Sequence, residues 1–584
     1  MRILNLFLLT LLYFGSTAQT QIGSDLDGEF SGDNFGSSVS LSANAQIVAV
    51  GAKRNDGTAY EAGHVRVYEQ SYTGAWSQMG SDIDGEAYGD NSGYSISLSS
   101  DSLFLAIGAP GNNGNGSNSG HVRVYKYSSG SWIQVGSDIN GEASSDESGF
   151  STALSSNGTI LAIGTPYNDG NGNDAGHVRV YEYSSGSWSQ LGADIDGEAI
   201  ADWSGYSISL SADGYSLAVG SPLNDGNGSN SGHVRVYKYS SGSWTQLGSD
   251  IDGEASGDQS GYSVSISSDG TKLAIGAPYN DGTGSDAGHV RVYEYMTGVW
   301  TQLGSDIDGE ALGDISGFFV TLSSDGNVLG IGAPQNDGNG TDAGHVRLYE
   351  MISGSWTQLG TDIDGEALND GSGVSIALSF NGSNSVIGAE GNDGNGSNSG
   401  HVRVYANPIC QDSIQQQPQS NTFYTVPGGA NFTVAHSDTS ATYQWQQNGG
   451  TGWSNLSDLG VYSGTSTDSL ILTGITSSLN NFGYRCIINS CNIDTSNVAT
   501  LTIEDNMFID ELLSKVNIYP NPTSGILSII LTSLSEYEVF NINGHKVAQG
   551  NTEGQIDITN LPTGSYQIII TNDDGRSTQT IQKI

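Results

Sequence analysis

The groups of this 584-residue chain that could do chemistry are mostly acidic side chains, with a recurring histidine and a few out-of-place cations and aromatics. Loops reading Asn-Asp-Gly-Asn-Gly, as at Asn168 to Gly172 and Asn224 to Gly228, belong to a set that puts Asp169, Asp225, Asp281, Asp337 and Asp393 at equivalent places. Carboxylate and amide oxygens at this density are what Ca²⁺ takes as ligands. The same residues are the ordinary material of turns that need positive φ, and none of these loops ends in the Glu of an EF-hand. Turn chemistry is the preferred reading, with weak cation sites as the alternative. A histidine recurs seven times, at His64, His121, His177, His233, His289, His345 and His401. One residue per repeat is spread around the molecule and cannot converge on one ion. The histidines therefore read as architecture, each expected to hydrogen-bond a neighbouring loop.

Positions that break the repeat are more informative. Lys53-Arg54 stands where most units have Pro and then a small or aromatic residue, and Tyr60-Glu61 follows. Trp203 sits in an acidic loop where its counterparts are polar or smaller, and Phe319 interrupts the sixth unit. An exposed aromatic beside carboxylates can hold a sugar, and drift among repeats produces the same picture. Lys53, Arg54, Tyr60, Trp203 and Phe319 are the ligand-binding candidates. Catalysis finds no support, because no nucleophile elbow, zinc-ligand pair on a helix or phosphate loop is present. Carboxylate pairs recur in every unit, whereas an active site is single. The chain is read as a non-enzyme that requires no cofactor.

The elements carrying these residues follow from the period. Gly-His-Val-Arg-(Val/Leu)-Tyr occurs seven times, first 57 and then 56 residues apart. Within one unit, Ser260 to Ser268 alternates apolar and polar residues, Asp269-Gly270 turns, and Leu273 to Pro278 runs out again. His289 to Tyr295 and Trp300 to Ile307 complete four antiparallel strands, which is one propeller blade. The fourth-strand motif follows a Trp six times and is missing from the seventh unit, while a copy stands at Gln21 to Glu29. That phase shift predicts an N-terminal strand closing the last blade, so that no sheet edge is left open at the seam. Strand direction alternates, so the long loops share one acidic face. That face is the predicted binding surface.

Export is expected from the N-terminus. Arg2 precedes an apolar run from Ile3 to Phe14, and Ser16-Thr17-Ala18 offers signal cleavage at Ala18/Gln19. No later stretch is apolar for long enough to span a membrane. Sixty-two acidic against eighteen basic residues give a net charge of −44, which disfavours nucleic acid and anionic lipid as partners. The three cysteines all fall within residues 410–491.

Three resemblances carry the reading further. Phe35-Gly36-Ser37-Ser38-Val39 with Val50-Gly51-Ala52, and Gly108-Ala109-Pro110 and its counterparts, resemble the FG-GAP repeat of integrin α-subunit propellers over residues 20–405. The family's calcium loop is replaced by tight turns such as Ser267 to Gly270, so its calcium sites are not carried over. Residues 408–505, with Tyr443-Gln444-Trp445 and Tyr484-Arg485-Cys486, resemble a bacterial Ig-like domain whose usual partner cysteine is replaced near Phe432 and Val434. Within that resemblance a Cys410–Cys491 disulfide would leave Cys486 buried. Asn517-Ile518-Tyr519-Pro520-Asn521-Pro522-Thr523-Ser524-Gly525 resembles the opening of the sorting domain of the type IX secretion system of Bacteroidetes. This implies recognition of residues 515–584 by that machinery and a place at, or release from, the surface of a Gram-negative bacterium.

The expected architecture is all-β: signal peptide 1–18, a seven-bladed β-propeller 19–405, an Ig-like β-sandwich 408–505, a linker 506–514 and a small β-sandwich sorting domain 515–584. The expected function is non-catalytic binding or adhesion, with a glycan or protein held on the acidic long-loop face. A structural surface component without a specific ligand is the alternative, and a secreted hydrolase comes third.

Overall fold

The computed structural model describes residues 18–409, 414–423, 428–437, 441–450, 452–489, 493–503, 517–531, 534–572 and 575–584. The signal segment before Ala18, both cysteines of the expected Cys410–Cys491 pair and the linker at 506–514 lie outside the described residues. The chain divides into two compact units, Met1–Cys410 and Gln411–Ile584.

The first unit contains seven sheets of one design. In the fourth blade Ser207–Leu210, Ser216–Ser221, His233–Ser240 and Ser243–Gln246 run antiparallel in sequence order. A fifth short piece, Ile251–Asp252, returns to pair with the third strand. The fourth strand is thus interrupted, where the sequence suggested a continuous run. The cause is Gly248, at φ +84°, where a Cβ would stand 2.8 Å from Trp300 Cδ1 of the next blade. Trp300 Nε1 donates to the Leu247 carbonyl at 2.8 Å. The break is therefore the socket into which each neighbouring tryptophan fits.

Second and third strands are buried on both faces and rich in Val, Ile and Leu. Each blade packs against the next, as in the cluster of Val178, Val180 and Ile195 with Leu217, Val219 and Tyr237. Each such fully buried aliphatic side chain contributes about 1.5–3 kcal/mol. Serine hydroxyls on the first strands reinforce the packing. Ser207 Oγ, for example, donates to the Gly261 carbonyl of the following blade at 2.7 Å.

The ring closes as the phase of the repeat predicts. Thr20 and Gln21 pair with Ala406 and Tyr405, and Leu26 and Asp27 with Val402 and His401. The second of these pairings has the register of Ile251 and Asp252 on Val234 and His233. Leu26 is buried with Phe35, Val386 and Val402, which joins the last blade to the first. Trp76 Nε1 donates to the Ile22 carbonyl at 3.1 Å and Ser375 Oγ to the Gly36 carbonyl at 2.8 Å, repeating at the seam the contacts of the first five junctions; between the sixth and seventh blades Gln19 Nε2 donates to the Leu359 carbonyl in the tryptophan's place and Phe319 replaces the serine.

The seven histidines sit between blades. Glu86, His121 and Asp138 bring their nearest oxygens and ring nitrogen within 4.8 Å of one another. The Arg123 guanidinium lies 3.6 Å from Glu86 and donates to the Asp84 carbonyl at 2.7 Å. The expected hydrogen bond to a loop is not made by the Nε2 atoms of His121, His177, His233 and His401, which have no partner among the described residues. Burial, then the adjacent arginine, pushes His121 and His177 down to about 4, so both rings are neutral.

The second unit is also β-structured. Asn421–Phe423, Thr442–Asn448, Phe482–Asn489 and Ala499–Ile503 belong to one sheet, and Gly428–Thr433 and Ser469–Ile475 to another. Trp445, Phe432, Tyr484 and Cys486 share one buried core, with the Phe432 and Tyr484 rings stacked at 4.9 Å. Phe432 thus fills apolar space where a disulfide partner for Cys486 could have stood, and burial pushes the free Cys486 thiol up to about 12. Further along, Ser535–Asn541, Lys546–Thr552, Gly564–Asn572 and Gly575–Lys583 form a four-stranded sheet, and Ile518–Tyr519, Ile526–Ile529 and Gln555–Asp557 a three-stranded one. Leu527, Val539, Ile556 and Ile568 share their core.

Two outcomes follow from this packing. Leu26→Ala is expected to destabilise the propeller by about 3 kcal/mol, the usual cost of a truncated core leucine; a denaturant midpoint equal to wild type would show that the N-terminal strand does not close the ring. The histidines titrate in the folded protein below the ordinary histidine value, so their contribution is complete above about pH 6.5 and is lost as pH falls. By pH 5, His121 and His177 should each cost about 2 kcal/mol, and a flat profile of unfolding free energy between pH 7 and pH 5 would refute this.

Candidate axial site

The first strand of each blade is innermost. Its beginning and the end of the second strand lie on the long-loop face, because both adjoin the long connections. A glycine stands at, or just before, the start of each first strand. At Gly205, φ +86°, a Cβ would stand 2.6 Å from the His177 carbonyl, so only glycine lets the strand approach the preceding blade this closely. The residue after that glycine then lines a cavity of about 310 Å³ on the axis, bounded by all seven blades.

Five of these seven axial residues are aromatic. Tyr94, Phe150, Tyr206, Tyr262 and Phe318 follow one another round the axis, with successive ring centroids 4.9, 4.8, 4.9 and 5.0 Å apart and planes tilted by 44–52°. Ser37 and Val374, in the first and last blades, leave a gap in this arc. Burial raises the phenols of Tyr94, Tyr206 and Tyr262.

The gap is polar. Lys53 Nζ and Glu390 Oε2 are 2.7 Å apart, with their side chains 23% and 27% exposed. They occupy the repeat position held elsewhere by Pro110, Pro166, Pro222, Pro278 and Pro334. Lys53 Nζ also stands 5.7 Å from the centre of the Tyr94 ring.

A second aromatic layer lies beside the third and fourth blades. Tyr167 meets Phe150 edge-on at 6.0 Å and Trp203 at 5.3 Å, and Trp203 stacks on Tyr206 at 5.9 Å with planes 11° apart. Trp203 holds φ +56°, a conformation costly for a bulky side chain and accepted at the equivalent places by Asn34 and Asn91. Glu147, at the same position one blade earlier, has its carboxyl pushed up by burial.

Of the residues singled out in the sequence, Lys53 and Phe319 line the cavity and Trp203 packs on its wall. Phe319 takes the place of the bridging serine and packs with Val328, Val346 and Ile376. Arg54 and Tyr60 do not line it. Arg54 is 57% exposed with Glu61 at 4.0 Å, and Tyr60 stacks on Tyr88 at 5.6 Å. The five loop aspartates are apart from it as well. Asp169 accepts the N–H of Asp174 at 2.9 Å, and Asp225, Asp281, Asp337 and Asp393 each accept an N–H five residues on at 2.8–3.0 Å. Asn168 Oδ1 accepts from Gly170 N while Nδ2 donates to Asp146. These oxygens brace the loop in the manner of a turn.

Glu390 and the five axial aromatics were missed by sequence reasoning. The signal was there: one repeat position holds an aromatic in five of seven units, and the Pro position is charged only in the first and last.

Comparison with known proteins bears on the framework. Residues 517–584 match the secretion system C-terminal sorting domain, and residues 250–293 match the FG-GAP repeat. The chain thus carries an FG-GAP repeat within its β-propeller and a secretion-system sorting domain at residues 517–584. The domain marks it as exported, at the cell surface or secreted, and is the part that the type IX secretion machinery recognises. Among the described residues, no helix is long and apolar enough to cross a membrane. No curated protein matches the chain. Among solved structures, it is similar to the β-propeller domain of the Trilobed protease from Pyrococcus furiosus, at 8% identity over 62% of this chain and 91% of that one, with a TM-score of 0.35. It is similar to the acylaminoacyl peptidase of Pyrococcus horikoshii at 11% identity over 69% and 59%, TM-score 0.38. A chimeric titin Z1Z2 matches at 17% identity over 30% and 95%, TM-score 0.15.

If Trp203 is held at positive φ for reasons other than packing, Trp203→Asn should change propeller stability by less than about 1 kcal/mol, strain relief offsetting lost contact area. Loss of several kcal/mol in a denaturant melt would instead make Trp203 a framework residue.

Proposed function

We propose that this exported protein is a non-catalytic binding or adhesion protein whose propeller holds a glycan or protein ligand on the acidic long-loop face, over the axial cavity. The observation that carries this is the broken symmetry of the axis. Six blade junctions repeat one pattern of packing, yet the cavity wall departs from it at Ser37, Lys53, Val374 and Glu390, and the wall behind it at Trp203. Framework requirements explain residues that repeat and not those that differ at one place around a shared opening. The paired Lys53 and Glu390 neutralise one another and leave no free base beside a nucleophile, which favours binding over turnover.

The test is an array of glycans and extracellular matrix proteins probed with the mature chain, in Ca²⁺ and again in EDTA. Capture in both conditions, weakened at least tenfold by Trp203→Asn, is expected. Capture by nothing on the array would point to a structural surface component, and capture abolished by EDTA would return the acidic loops to the site.

A further inference from the structure

Resting on that binding reading, we propose that the axial cavity is a subsite for one neutral pyranose, the exposed end residue of a glycan, with its ring against the tyrosine and phenylalanine arc and two neighbouring hydroxyls on Lys53 and Glu390. The volume of about 310 Å³ is at the small end of ligand sites, which suits a sugar ring and not a folded peptide segment. The walls are amphipathic in the manner a pyranose requires. Aromatic faces carry negative charge density and attract the weakly positive C–H groups of a sugar face.

The gap supplies the polar half. Lys53 is donor-only and Glu390 acceptor-only, side by side at 2.7 Å. A hydroxyl both donates and accepts, so a vicinal pair can take a hydrogen bond from Nζ and give one to Oε2. Other chemistries fit less well. An anion would face Glu390 on a chain of net charge −44. A cation would find its place beside Glu390 and over the Tyr94 ring already taken by Lys53 Nζ. A wholly apolar group would strip water from the ion pair and return no hydrogen bond.

The experiment is titration of the mature chain with methyl glycosides of glucose, galactose, mannose and N-acetylglucosamine, followed by saturation-transfer NMR, with glucuronate and arginine methyl ester as charged probes. At least one neutral glycoside should bind saturably, with Kd raised at least tenfold by Lys53→Gln. Ser37→Tyr guards against a folding artefact, since three other blades carry tyrosine after the same glycine. It extends the arc into the gap, should leave the unfolding midpoint unchanged, and should abolish binding. Wild-type affinity in both variants, or preference for either charged probe, overturns the axial subsite; glycan or protein capture on the array would then leave the binding reading standing. Absence of capture on the array as well would overturn both.

Discussion

The pairing of the N-terminal segment with His401–Ala406 is the contact on which the rest of the propeller depends. A blade of this size cannot bury its faces alone. Each is covered by its neighbours, so an unclosed array has two exposed faces and two open edges. Leu26 removes the defect by entering the core shared by Phe35, Val386 and Val402, and Ile22 supplies the carbonyl that Trp76 requires. Because the closing strand comes from the other end of the chain, the seam is stitched by contacts some 340 residues apart in sequence, such as Ser375 to Gly36. Closure therefore comes late in any folding order in which local contacts form first.

Closure also creates an axis, and with it a place where repeated residues meet. A side chain on the third strand stays at its own junction, as the histidines do. One at the start of the first strand meets its counterparts from all the other blades. The same sevenfold repetition thus scatters one residue type and concentrates another. Lys53 and Glu390 show the consequence most sharply, since they lie 337 residues apart and become an ion pair only when the ring is complete.

Much of the framework was legible in the sequence because it repeats. The 56-residue period, the Asp-Gly turns and the displaced copy at Gln21 to Glu29 were enough to predict blades, strand order and seam, each of which the structure contains. The interruption at Gly248 was not legible, because its cause is Trp300 of another blade. The histidines were expected to hydrogen-bond a neighbouring loop, and their geometry differs: at His401 burial leaves Nε2 without a partner while Nδ1 lies 3.8–3.9 Å from the carboxylates of Asp25 and Glu366. All five candidate residues were chosen by asking which positions break the repeat, and three of them, Lys53, Trp203 and Phe319, lie at the axial cavity or its wall. The aromatic arc escaped that question because it is itself nearly a repeat, and Glu390 escaped because its significance depends on Lys53.

The framework also explains how such a site could vary without harm to the fold. Blades are held together internally by main-chain ladders, and most junctions by serine hydroxyls on glycine carbonyls and by tryptophans in glycine sockets, none of which uses the axial side chain after the glycine. That position accepts Ser, Tyr, Phe and Val in this one chain. The adjoining left-handed position accepts Asn, Glu, Trp, Gln and Ile, although every one of them is held at φ between +50° and +56°. Asparagine suits that conformation and tryptophan does not, so the presence of Trp203 opposes local preference and calls for a compensating contact. Its stacking on Tyr206 is such a contact within the protein. It also turns the second aromatic layer toward the same axis that closure made, so local strain and global symmetry converge on one opening.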